Sequence, residues 1–166
     1  ACYLKDEKEL QKSTSGGAFF VLAKKVIMQQ GVVFGAAFSH NHRVEHIVAT
    51  NLNELEDLRK SKYVQSRIGN AYIKAREYLE NSRVVLFSGT PCQIGGLKAY
   101  LGREYENLIC QDMICHGVPS PGIWRKYLAE LERKMGASAR EVSFRCKKRG
   151  WKDYLMSIGF KNGKLY

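Results

Sequence analysis

The chain has 166 residues, 45% of them hydrophobic and 26% charged, with a formal net charge of +11. That size supports one domain with its own core, and that balance excludes a disordered or low-complexity chain. No window approaches the roughly eighteen uninterrupted apolar residues of a membrane span, and ACYLKDEKEL lacks the regions of a secretory signal, so the expected location is the cytoplasm.

Residues 1–12 are polar and read as a linker from an upstream segment, with 13–166 forming a single α/β domain. From Ser15, GGAFFVLAKKVIMQQ places Phe19, Leu22 and Val26 at helical spacing and meets Gly31, which predicts a helix over 16–30. GVVFGAAF predicts a strand over 32–38 and a second follows over 44–50, joined as a hairpin through Ser39, His40, Asn41 and His42. His40 and His42, close in sequence to His46, read as solvent-facing turn residues rather than ligands. Asn53 with Glu56 three positions on predicts a capping box and a short helix to about Arg59. The polar joint Ser61–Ser66 then leads to a helix over 70–80.

A strand over 84–87, a helix over 94–101 ended by Gly102, a strand over 108–114 and a helix over 121–134 with Pro121 at its start and Gly136 beyond it come next. This is a βαβα unit whose two strands should be parallel neighbours. Segments 141–144 and 154–160 alternate as antiparallel strands do, and Asn162-Gly163 marks a hairpin turn whose second strand has barely begun, as in the central part of a longer protein. The expected fold is α/β: a mixed sheet with a parallel βαβα core, helices packed on it and antiparallel strands added at one side.

Ligands of parallel sheets bind beyond the carboxyl ends of the strands. Two turns qualify here, Ser88-Gly89-Thr90-Pro91-Cys92-Gln93 and Cys115-His116-Gly117-Val118-Pro119-Ser120. Adjacent strands would bring Cys92 and Cys115 to one edge. Three readings stay open: ligands of a soft metal, a single Cys92 nucleophile at a helix N-terminus with His116 as its base, or two buried structural cysteines. The five cysteines form neither a disulfide framework nor a zinc pattern of close pairs. The turn Ser13-Thr14-Ser15-Gly16-Gly17 is a phosphate cradle or an ordinary helix cap. In the joint, Lys62 would pair with a phosphate and Tyr63 would pack on a planar ring, or both are solvated flanking residues. Arg145, Lys147, Lys148, Arg149 and Lys152, with Phe144 and Trp151 among them, form the dense basic cluster. Without a nucleic-acid-binding motif it predicts no nucleic-acid partner, and a phosphate-bearing cofactor would use the same charge.

In order, the segments STSGGAF, GVVFGAAF, RKSKYVQS, VVLFSGTPCQIGGLKAYL, DMICHGVPSP and FRCKKRGW resemble the coenzyme F420 hydrogenase/dehydrogenase beta-subunit family, from about Ser13 to the end. The resemblance implies an oxidoreductase that binds FAD and, in typical members, a [4Fe-4S] cluster. It would pass electrons between iron–sulfur centres and a deazaflavin such as F420 or a related two-electron carrier. A ferredoxin-like iron–sulfur domain or subunit is the implied partner, and homo-oligomerisation stays open. Cys92 and Cys115 match two of the family's cluster cysteines. The other two belong to a downstream Cys-x-x-Cys that this chain lacks, so this chain alone is expected to be inactive, without an intact cluster. Cys146 stands where a polar residue is expected and is not assigned as a ligand. Ser15, Gly16 and Gly17 would approach the flavin diphosphate, and Lys62, Tyr63 and Ser66 the flavin or its phosphates. Gly89, Thr90, Pro91 and Gln93 would lie near flavin and cluster, with His116 and Gly117 on the second turn as further cofactor contacts. No catalytic residue is singled out. The rival readings are a non-redox scaffold module associated with polysaccharide biosynthesis and a cysteine-dependent hydrolase or transferase.

Overall fold

The alternation in VVFGAAF sends Val32 and Phe34 to one side of a sheet and Val33 and Ala37 to the other. The computed structural model, which describes residues 3–147, 150, 153 and 155–166, shows both sides covered. Strand β1 (Val32–Phe38) pairs antiparallel with β2 (Val44–Ala49) as the expected hairpin, Phe38 opposite Val44. It also runs parallel to β3 (Val85–Gly89), which in turn is parallel to β4 (Leu108–Asp112). The four-stranded order is β2-β1-β3-β4. The α/β expectation therefore holds, with the antiparallel strand at one edge.

Helices follow the punctuation in the sequence. Helix α2 (Ala18–Met28) and α3 (Leu52–Leu58) cover the Val33 face through Ala23, Val26, Leu55 and Leu58. Helix α4 (Ala71–Glu80) and α5 (Pro91–Leu101) cover the Phe34 face through Ala75, Leu79, Ile94 and Leu97. Gly102, in the left-handed conformation at φ 69°, closes α5. Helix α6 (Pro121–Met135) begins with Ser120 Oγ accepting from the Ile123 amide and ends at Gly136, φ 70°.

Three findings differ from the sequence expectations. The segment 1–12 contains a helix, α1 (Glu7–Gln11), whose first turn is capped by Asp6 accepting from the Lys8 and Glu9 amides. The cap of α3 is Asn51, not Asn53: Asn51 Oδ1 accepts from the Glu54 amide at 3.0 Å, and Glu54 Oε2 accepts from the Thr50 amide at 2.7 Å. The cap is thus shifted by two residues, and Glu54 reaches back to the residue before the cap rather than to the cap's own amide. Finally, β5 (Ala139–Cys146) and β6 (Leu155–Phe160) form a separate two-stranded sheet rather than extending the main one. Ala139, Ile158 and Phe160 pack under Trp124, Leu128 and Leu131 of α6, making a third apolar cluster beside Val44 of β2. The expected strand start at Tyr154 lies outside the described residues. The Asn162-Gly163 turn is present, with Tyr166 and Ile158 exchanging two backbone bonds of 2.9 Å. Among the described residues no helix is long and apolar enough to cross a membrane.

Replacing an N-cap that holds a helix amide costs about 1 kcal/mol. Asn51→Ala should therefore lower the urea midpoint by that amount, whereas Asn53→Ala, exposed and one residue into the helix, should move it by only about a few tenths. Equal midpoints would return the cap to Asn53.

Candidate functional site

Because β3 and β4 are parallel neighbours with Gly89 opposite Asp112, both cysteine-bearing turns leave the same edge of the sheet. Thr90 and Pro91 begin α5 as sequence chemistry requires, since proline at the first helical position gives up an amide that has no partner there. Gln93 Oε1 accepts from the Thr90 amide at 3.0 Å. Cys92 is exposed, its Sγ 3.0 Å from Thr90 Oγ1. Cys115 is also exposed, and its Sγ accepts from the Gly117 amide at 3.4 Å. Gly117 is left-handed at φ 108°, and His116 beside it is exposed.

The joint between α3 and α4 runs along the outer edge of β2. The Arg67 amide donates to Val44 O and the His46 amide to Arg67 O, each at 2.9 Å. That placement ties the joint to all three turns singled out in the sequence. The Ser61 amide donates to Thr14 Oγ1 at 2.8 Å. The Gln65 amide donates to Pro119 O at 3.1 Å, in the Cys115 turn. Ser66 Oγ accepts from Gln93 Nε2 at 2.8 Å, in the Cys92 turn.

At the centre of these bonds is His46, 7% exposed and stacked on Phe87 at 5.3 Å. His46 points inward from β2 at a buried position of its alternating pattern. Its Nε2 lies 3.0 Å from Ser88 O and its Nδ1 2.9 Å from Ser66 Oγ. A carbonyl only accepts, so Nε2 carries the proton, Nδ1 is bare and the Ser66 hydroxyl donates to it. His42 is half-buried, its Nε2 donating to Ala139 O at 3.1 Å, while its carbonyl accepts from Trp124 Nε1 at 2.7 Å. His40 is exposed as expected.

Lys62 Nζ donates to Asp57 O at 2.9 Å and Arg59 O at 2.6 Å. Burial pulls its amine down to about 7, with the Asp57 carboxylate opposing and the Lys60 charge reinforcing. Tyr63 is 42% exposed and meets the Phe144 ring edge-on at 5.6 Å. Phe144 also packs on Phe38 and Trp124, so its ring belongs to an aromatic cluster rather than to a stacking surface for bases.

Gly17 is left-handed at φ 85°, and a Cβ there would run into Leu4 Cδ1. The Leu4 amide donates to Gly16 O at 2.9 Å, so Leu4 occupies the space over these glycines; Ser15 is exposed. The preceding residues Ser13 and Thr14 line a cleft of about 250 Å³, with Lys12, Lys60, Arg145 and Lys147 around it. Lys147 Nζ donates to Ser13 O. Lys148, Arg149, Trp151 and Lys152 of the basic cluster lie outside the described residues. A second cleft of about 190 Å³, lined by Phe38, Lys60, Lys62 and Phe144 among others, adjoins the same joint.

This donor set fits a phosphate-bearing ligand, with cations and hydroxyls around one cleft. A [4Fe-4S] cluster takes four thiolates. Among the described residues no group of three or more His, Cys, Asp or Glu side chains is placed to hold a metal, so they do not complete such a site.

Residues 82–162 match the family model for the C terminus of the coenzyme F420 hydrogenase/dehydrogenase beta subunit. Over that span, just under half of the chain, the sequence is similar to this family. The fold is also that of a chain in the xenon-derivatised F420-reducing [NiFe] hydrogenase complex from Methanosarcina barkeri, at 13% identity and a TM-score of 0.64. The overlay covers 98% of this chain and 57% of that one, so this chain spans little more than half the neighbour's length. No curated protein matches the sequence. The beta-subunit match takes in both cysteine turns and the β5–β6 ribbon; Ser13–Gly17 and the joint precede it.

In this fold, burial holds the His46 imidazole below its ordinary value of 6.5, with the Ser88 carbonyl bond opposing and the Lys62 charge reinforcing. The unfolded chain takes up that proton near 6.5 and the folded chain only at lower pH. Its contribution to stability is thus present in full above about 6.5 and is lost as pH falls through the lowered folded value. The urea midpoint should drop between about pH 7.5 and 5.5, and His46→Gln should flatten that part of the profile. An unchanged slope in the variant would assign the loss to other groups.

Proposed function

We propose that this chain is the central part of a flavin- and iron–sulfur-dependent oxidoreductase, passing electrons between a two-electron carrier of the deazaflavin type and iron–sulfur centres held partly by a ferredoxin-like domain or subunit. The observation that carries the reading is the joint 61–66, hydrogen-bonded to the Thr14, Cys92 and Cys115 turns beside a cleft rimmed by four cations. The family match over residues 82–162 and the neighbour's fold support it. A bound flavin exchanges electrons in pairs or singly, which is the conversion such a carrier needs.

Lys60, Arg145 and Lys147 would neutralise the FAD diphosphate, with the Thr14 and Ser143 hydroxyls beside them. Ser15, Gly16 and Gly17 follow Ser13 and Thr14 in the same turn and would approach the diphosphate from there, on the condition that Leu4, which packs against Gly17, leaves them accessible. Tyr63, Lys62 and Ser66 would lie along the flavin, and Gly89, Thr90, Pro91 and Gln93, with His116 and Gly117, would face its redox end. Gly89 suits close approach, since a Cβ there would come within 3.1 Å of Gln93 Oε1. Cys92 and Cys115 would serve as two cluster ligands, with the other donors supplied from outside the described residues.

The full-length protein that contains this chain is purified and reconstituted without oxygen, then analysed for flavin and iron. Bound FAD is expected in wild type, and Lys60→Ala should weaken it roughly tenfold. Wild type without flavin sinks the reading. Cys92→Ala and Cys115→Ala should each lower iron content; unchanged iron in both removes them as ligands.

A further inference from the structure

The hydrogen bonds around His46 form a closed relay with one polarity. His46 Nε2–H donates to Ser88 O (3.0 Å), the Ser66 hydroxyl donates to His46 Nδ1 (2.9 Å), Gln93 Nε2 donates to Ser66 Oγ (2.8 Å), and the Thr90 amide donates to Gln93 Oε1 (3.0 Å). Reversing the Gln93 amide would set two donors against each other at Thr90, so the chain has one consistent direction. Its two ends fix Ser88 and Thr90, the residues on either side of Gly89. The Tyr72 hydroxyl holds Gln93 from the other side, donating to its carbonyl at 2.7 Å. Between them sits Cys92, with Thr90 Oγ1 3.0 Å from its sulfur.

We propose that His46 is a positioning residue for the Cys92 turn: acting through Ser66 and Gln93, it holds the Ser88–Thr90 backbone in the arrangement that brings the Thr90 hydroxyl against the Cys92 sulfur. The significance of that turn rests on the redox reading above, whereas the relay is a property of this chain's own side chains. Ser66 is the pivot, because it is the member that joins the histidine of the antiparallel edge to the helix that carries Cys92. The relay therefore makes the α3–α4 joint and the Cys92 turn one mechanical unit. It also explains why a histidine occupies this buried position: no other neutral side chain donates at one end and accepts at the other across a flat ring that stacks on Phe87.

The test uses Ser66→Ala, which removes the pivot with little change in volume, and Ser66→Thr, which keeps a hydroxyl. Three quantities are read in each: amide exchange at Thr90, the ¹⁵N signature of the His46 ring, and the rate of Cys92 alkylation by iodoacetamide, with exposed Cys115 as the internal reference. Wild type should show the Nε2–H tautomer. Ser66→Ala should speed Thr90 exchange and slow Cys92 alkylation, each by roughly threefold to tenfold, the effect of one lost hydrogen bond. Cys115 should be unchanged, and Ser66→Thr should restore both. Wild-type exchange and alkylation in Ser66→Ala, or an Nδ1–H tautomer in wild type, overturns the proposal. His46→Gln gives a second arm, since its amide keeps a donor toward Ser88 O but cannot span to Ser66; it should reproduce the Ser66→Ala pattern in a folded protein. Flavin and iron contents are measured on the same samples. Their absence from wild type would sink the redox reading and leave the relay standing, whereas unaltered Cys92 kinetics would sink the relay alone.

Discussion

Two backbone hydrogen bonds on the outer edge of β2, Arg67 N to Val44 O and His46 N to Arg67 O, determine how the site is assembled. They satisfy an edge that would otherwise be open to pairing with another chain. More importantly, they lay the α3–α4 joint along the sheet in a fixed register. Once Arg67 is beside β2, Ser66 faces His46, Gln65 reaches Pro119 and Ser61 reaches Thr14. A slip of one residue would turn Ser66 away from the histidine and undo every link to the Cys92 turn.

Arg59 anchors the other end of the same joint. Its guanidinium is buried, yet it donates to Glu9 Oε2 at 2.7 Å, Glu56 Oε1 at 3.0 Å, Glu9 O at 2.8 Å and Ser13 Oγ at 3.1 Å, and lies 3.8 Å over the Phe20 ring. A desolvated cation is costly unless paired in this way, so each partner is held as firmly as the arginine itself. The consequence is that α1 and the Ser13–Thr14 turn are fixed to α3, and the rim of the larger cleft is built from three separate stretches of chain.

What the sequence made legible is what local chemistry decides. The strand over 32–38 follows from apolar, β-branched and aromatic residues, and α5 and α6 from proline at the start and glycine past the end. What it hid is decided at long range. Helix α1 is too short to be stable on its own pattern and persists because Glu9 meets Arg59, fifty positions away. The role of His46 stayed hidden because its partners, Ser66 and Ser88, lie twenty and forty-two positions on. The clue that was available is its place in the alternation of VEHIVA, where His46 shares a face with Val44. The packing of Phe144 was hidden for a related reason: its neighbours Phe38, Tyr63 and Trp124 come from three distant segments. The asparagine cap was recognised in kind and misplaced in position, because Asn51 and Asn53 both have an acidic residue three places on and only the backbone entry angle separates them.

Lys62 shows how structural and ligand-binding demands compete within this joint. Its amine donates to the carbonyls of Asp57 and Arg59, which are left without helical partners at the end of α3, so it caps a helix C-terminus. Recruiting Lys62 to a phosphate would uncap that helix, and the anion would have to replace two good acceptors before any net gain appeared. Lys60 carries no such obligation in its side chain's setting: it is exposed, its backbone is left-handed at φ 68°, and it lines both clefts. The division of labour follows from these positions. Lys62 holds the joint in shape, and Lys60 is the exposed cation shared by the two clefts.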